Sequence, residues 1–79
     1  MEMQWRQIST RQVLEVVQSP QQKLPSRGQR WVHQSQYFDT IMERVVILRV
    51  IVEVRGEDIY VVTAYKTTRV EKYWVERQP

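Results

Sequence analysis

Apolar and polar positions along the chain sort into one short helical run followed by strands. In ISTRQVLEVVQSP, Ile8, Val13, Leu14 and Val17 gather on one side at helical spacing, while Arg11, Gln12, Glu15 and Gln18 face water. Ser9 stands where a capping residue is wanted, Gln12 follows three positions later to complete a capping box, and Ser19-Pro20 stops the run. A helix of this length is marginal alone in water, so its apolar side must dock on a sheet. The segment from Gln21 to Gln29 holds Pro25, Ser26 and Gly28 and reads as a loop.

Arg30 to Phe38 is a first strand. Its β-formers Trp31, Val32, Tyr37 and Phe38 are interrupted by His33, Gln34, Ser35 and Gln36, as in a strand with one wet face or an edge position. Asp39 to Glu43 turns the chain, and Arg44 to Val54, dense in β-branched residues, is expected to be the central strand. Side chains alternate across a strand, so Val46, Leu48, Val50, Val52 and Val54 make one unbroken apolar row, and Val45, Ile47, Arg49, Ile51, Glu53 and Arg55 make the opposite, wetter row. With Gly56-Glu57 in a two-residue hairpin turn, Gly first, Val54 pairs with Ile59, Val52 with Val61, Val50 with Thr63 and Leu48 with Tyr65. On the other face the same register sets Glu53 beside Tyr60, Ile51 beside Val62, Arg49 beside Ala64 and Ile47 beside Lys66, so that two cations converge away from the turn. The fold class is therefore α+β: one helix packed on an antiparallel sheet of three to four strands, in a single domain over residues 1–79.

Composition narrows the class further. A 79-residue chain buries only about 60–65% of the surface it exposes when unfolded, so its stability margin is thin and self-association would help it. A hydrophobic content of 42% with 27% charged residues describes a globular chain and not a disordered one. The net charge of +3 favours an anionic partner, though only modestly. The absence of cysteine removes disulfides, thiolate metal sites and a cysteine nucleophile. No leader pattern is evident and no stretch approaches the roughly 18 apolar residues of a membrane span, so the expected setting is the cytoplasm.

The run ISTRQVLEVVQSP, the strand RWVHQSQ, the central LRVIVEV and the closing VVTAYKTTRVEKYW together resemble the family catalogued as domain of unknown function 4258, over residues 8–74. The resemblance implies kinship with the RelE/ParE toxin superfamily: small α+β proteins with a curved antiparallel sheet, whose RelE-like members cleave ribosome-bound messenger RNA and whose ParE-like members act on gyrase. It implies in turn a toxin–antitoxin setting with a small antitoxin-like protein as partner. Relatives begin with an extra helix of the form His-Ala-x-x-Arg, and here only MEMQWRQ precedes Ile8. The sheet surface that helix would cover is left to Trp5 or to a second copy of the chain, hence an expected homodimer.

RNA cleavage of the RelE type needs no metal and no cofactor: groups that orient the ribose 2′-hydroxyl, neutralise the phosphate and protonate the leaving oxygen suffice. Arg49, on a strand with mostly apolar neighbours, is the candidate phosphate clamp, and Tyr65 and Tyr73 are the candidate acids or base-stacking rings; these three are the catalytic candidates. Lys66, Arg69, Lys72 and Trp74 are the candidate RNA-binding residues. The plainer alternatives are a solvent-facing or glutamate-paired Arg49, packing tyrosines, and a tail TTRVEKYW that folds back to seal one edge of the sheet, which is the expectation for the tail. His33, the lone histidine, reads as a surface residue, and no His, Asp or Glu cluster recurs at metal-ligand spacing. Two functions of different kind stand: RNA binding or cleavage, and a non-catalytic dimerising interaction module.

Overall fold

A computed structural model of the protein describes residues 8–76. Helix α1 (Thr10–Gln18) is followed by β1 (Gln22–Pro25), β2 (Arg30–Asp39), β3 (Arg44–Arg55), β4 (Asp58–Thr67) and a one-turn helix α2 (Val70–Tyr73). The four strands form one antiparallel sheet in the order β1-β2-β3-β4. The α+β class, the short helix and the interior position of residues 44–54 are as the sequence implies.

Helix α1 starts at the expected capping box. The Gln12 N–H donates to the Ser9 hydroxyl at 3.1 Å, and the Ser9 N–H donates to Gln12 Oε1 at 2.9 Å. Its buried side has Val16 where Leu14 is expected. Val13 and Val16 are buried and Val17 packs beside them, while Leu14 is 50% exposed. Positions three and four apart lie over one another on a helix, so Val13, Val16 and Val17 form the stripe and Leu14 is rotated off it.

The core lies between α1 and one face of the sheet, where Ile8, Val13 and Val16 meet Leu48, Val50, Val52 and Ala64. Val46, Ile47, Leu48, Val50 and Val52 on β3 have no exposed surface, which makes this strand the main source of apolar burial. The turn after β2 is held by Asp39, whose Oδ1 accepts from the N–H groups of Ile41 and Met42, both at 2.9 Å.

Three expectations fail here. The supposed loop from Gln21 contains β1, whose register (Gln22 opposite Gln34, Pro25 opposite Trp31) makes it the edge strand and moves β2 to the interior. An edge position tolerates Pro25, because the strand donates to only one neighbour. The β3–β4 register holds through Val54/Ile59, Glu53/Tyr60 and Val52/Val61, with Gly56 at φ +62° in the turn. It then slips by one residue: Val62 is extra, and Ile51 meets Thr63, Val50 meets Ala64, Arg49 meets Tyr65 and Leu48 meets Lys66. A bulge of this kind exchanges the faces of every later residue on its strand. Ala64 therefore enters the core, Tyr65 joins Arg49, and Lys66 turns to the α1 face. Finally, the row expected to be wet is partly closed, since Ile47 on it has no exposed surface. Trp5 lies outside the described residues.

Candidate nucleic-acid interface

The face of the sheet opposite α1 carries Gln34 on β2, Arg49 on β3 and Tyr65 on β4 in one row across three strands. The Arg49 Nε–H donates to Gln34 Oε1 at 2.9 Å and its Nη1 donates to the Tyr65 hydroxyl at 2.6 Å. The chain after β4 folds back over this row. The Tyr73 ring lies 4.2 Å from the Arg49 guanidinium carbon and the Tyr65 ring 5.7 Å, so the cation sits against two aromatic rings. The three catalytic candidates are thus brought together, and it is the bulge at Val62 that delivers Tyr65.

Gln34, which is not among the sequence candidates, is the residue that organises this arrangement. It is fully buried; its Nε2 donates to Gln22 Oε1 at 2.8 Å and to the Tyr73 carbonyl at 3.0 Å, while its Oε1 accepts from Arg49. Gln22 then binds the tail a second time: its Nε2 donates to the Val75 carbonyl at 2.6 Å, and the Val75 N–H donates back to Gln22 Oε1 at 3.2 Å. A buried amide with its donors and acceptor engaged is the favourable case for a polar group in a dry place. Its signal in the sequence is the polar interruption His33 to Gln36 in a strand of β-formers, a pattern that a wet face produces equally well. The tail is expected to seal an edge; it lies across a face instead, because its anchors are on β1 and β2.

Charges on this face divide into neutralised and free. Glu53 is gripped by Arg55 Nε at 2.6 Å and Arg30 Nε at 3.2 Å, and these two guanidiniums, Arg55 foremost, hold its carboxyl below the usual range. Arg49 has no carboxylate within ion-pair distance among the described residues, and its polar partners are neutral. Arg69 and Lys72 are exposed on the tail, and the Lys72 ammonium lies 5.2 Å from the Tyr73 ring. Trp74 is half-buried.

Lys66 does not belong to this surface. It lies on the α1 face with only 11% of its side chain exposed, and its Nζ donates to Asp39 Oδ2 at 2.6 Å. Burial works against its charge but is outweighed by Asp39 and by the nearby Tyr37, so its pKa is raised; the Lys66 hydrogen bond, helped by the Met42 amide, lowers that of Asp39. His33 also departs from expectation. It is 3% exposed, under α1, with Nδ1 3.0 Å from the Val17 carbonyl oxygen, a contact only an Nδ1–H donor satisfies. Its Nε2 has no partner among the described residues, and burial lowers its pKa. It therefore has no access to Arg49.

Among the described residues no group of His, Asp and Glu side chains is placed to hold a metal, and no helix is long and apolar enough to cross a membrane. Comparison of the chain with known protein families, with curated proteins and with solved structures finds no match.

Proposed function

We propose that this chain is a RelE/ParE-like small protein that binds single-stranded RNA through Arg49, Tyr65, Tyr73, Arg69 and Lys72. The observation that carries the reading is the half-buried Arg49 guanidinium held by neutral groups alone, on a face where its neighbours Arg30 and Arg55 are neutralised by Glu53. Two of its five N–H donors are engaged by Gln34 and Tyr65, and the remaining fork suits a phosphate oxygen pair. The Tyr65 hydroxyl accepts from Arg49 and keeps its own proton to donate to the same phosphate. The exposed cations Arg69, just before α2, and Lys72, on it, continue the electrostatic track along a backbone, and Trp74 beside them offers a ring for stacking.

Binding is favoured over cleavage. Attack of a ribose 2′-hydroxyl on its phosphate needs a base to take the proton and an acid for the departing 5′-oxygen, and the only imidazole is buried beneath α1 on the opposite face. The test is RNA affinity against salt for the unmodified chain and for Arg49→Gln combined with Arg69→Gln and Lys72→Gln. Lys66 is left intact because it is committed to Asp39. For single-stranded RNA, each phosphate that the variant no longer neutralises should flatten the slope of log K against log salt by about 0.7. Equal slopes refute the reading, while RNA fragments ending in 2′,3′-cyclic phosphate establish cleavage.

A second reading, a non-catalytic interaction module, is favoured by the apolar tip of the β2–β3 hairpin. Phe38 (59% exposed), Ile41 (69%), Met42 (42%) and Val45 (43%) lie together there.

A further inference from the structure

The Arg49 guanidinium lies over the Tyr73 ring, 4.2 Å from guanidinium carbon to ring centre. That is contact distance, so nothing fits between them as the chain stands. The two partners are held very differently. Arg49 is fixed on the central part of the sheet, with its Nε donating to Gln34 and its Nη1 to Tyr65. Tyr73 is carried by α2, a single turn that buries no residue and whose N-cap, Arg69, makes no side-chain capping bond. Among the described residues the tail is tied back to β1 and β2 through two glutamine side chains. Gln34 Nε2 donates to the Tyr73 carbonyl at 3.0 Å, and Gln22 exchanges two hydrogen bonds with the Val75 backbone, at 2.6 and 3.2 Å.

We propose that Arg49 and Tyr73 form a closed clamp for one unpaired nucleobase, which enters between guanidinium and ring as the tail lifts from Gln34 and Gln22. The clamp rests on the RNA reading and adds to it the part of the nucleotide that is gripped and the movement that admits it. Guanidinium planes and tyrosine rings are both surfaces on which splayed bases stack. A base is about as thick as the ring it displaces, so the two must part by about 3.5 Å, enough to break the bond from Gln34 to the Tyr73 carbonyl and short of unfolding the tail. Gln34 is shared between the two halves: its Oε1 keeps Arg49 in place while its Nε2 lets Tyr73 go. Lys72, 5.2 Å from the same ring, moves with it and stays close to the strand being gripped. A base inside a duplex is stacked on both faces and cannot enter, so the clamp selects single strands.

The probes are an oligouridylate and a ribose-phosphate strand of the same length without bases, titrated at low salt. The unmodified chain should bind the base-bearing strand about tenfold more tightly than the abasic one, within the range that stacking of one base supplies. Tyr73→Phe should keep this preference and Tyr73→Leu should abolish it, whereas a merely structural role for Tyr73 would weaken both strands alike. Gln22→Ala, which removes the latch on Val75 and no hydrogen bond to Arg49, should raise affinity for the base-bearing strand and leave the abasic strand unchanged. The Val75 amide, held by Gln22 in the free chain, should exchange faster with the base-bearing strand bound and not with the abasic one. Equal affinity for the two strands overturns the clamp while leaving phosphate binding at Arg49 intact. A base preference that survives Tyr73→Leu also overturns it and points to Tyr65 or Trp74 as the stacking ring, as does a Gln22→Ala variant with no gain for the base-bearing strand. If neither strand binds, the RNA reading and the clamp fall together.

Discussion

Replacing Ile47 by alanine separates the alternation pattern from the packed structure. By alternation Ile47 belongs with Arg49 and Glu53 on a wet row, where substitutions usually change stability by about 0.5 kcal/mol or less. In the fold it has no exposed surface: it lies between Gln36 and Thr67 on neighbouring strands, on the face that α2 and the tail cross. Truncating a fully buried isoleucine to alanine typically costs about 2–5 kcal/mol, the transfer of its carbons plus the cavity left behind. A chain of this size is stable by about 4–12 kcal/mol, so the variant should lose a large fraction of the total. Urea unfolding followed by tryptophan fluorescence reads this directly, with Val45→Ala as the reference because Val45 is on the same face and 43% exposed. Removing residues 69–79 should uncover Ile47, so in that background Ile47→Ala should cost less, and the difference measures the seal formed by the tail. If Ile47→Ala shifts the urea midpoint no more than Val45→Ala does, the closed face is wrong and with it the placement of Tyr73 over Arg49.

Acid should weaken the fold through His33. Its folded pKa is depressed by burial, so the unfolded chain, with a histidine near pKa 6.5, takes up the proton first. That contribution is complete above about pH 6.5 and declines as the pH falls below it; the urea midpoint should drop between pH 7 and pH 5.5, and a His33→Gln variant with the same drop would refute the cause. At Gly56 an added Cβ meets nothing within 4 Å, so Gly56→Ala should cost only the left-handed backbone strain at φ +62°, about 1–2 kcal/mol. Gly56→Asn should cost less, because asparagine tolerates that conformation; equal losses by thermal unfolding would mean that a contact is at fault.

Local chemistry determined much of this protein. The capping box at Ser9 and Gln12, the apolar row Val46, Leu48, Val50 and Val52 of β3 and the Gly56 turn each involve residues near in sequence, and each stands in the fold as expected. So do the first register pairs after the turn, because a tight turn fixes pairing only while alternation is unbroken. The rest was decided by contacts between distant parts of the chain. A single extra residue at Val62 carries Tyr65 to Arg49 and Lys66 to Asp39, and nothing in the alternation of VVTAYK marks it. The tail reaches Gln22 and Gln34 across separations of 53 and 39 residues. That closure turned a polar interruption into a buried hydrogen-bonded row and Ile47 into core, since burial depends on which segment arrives above a residue and not on the pattern around it.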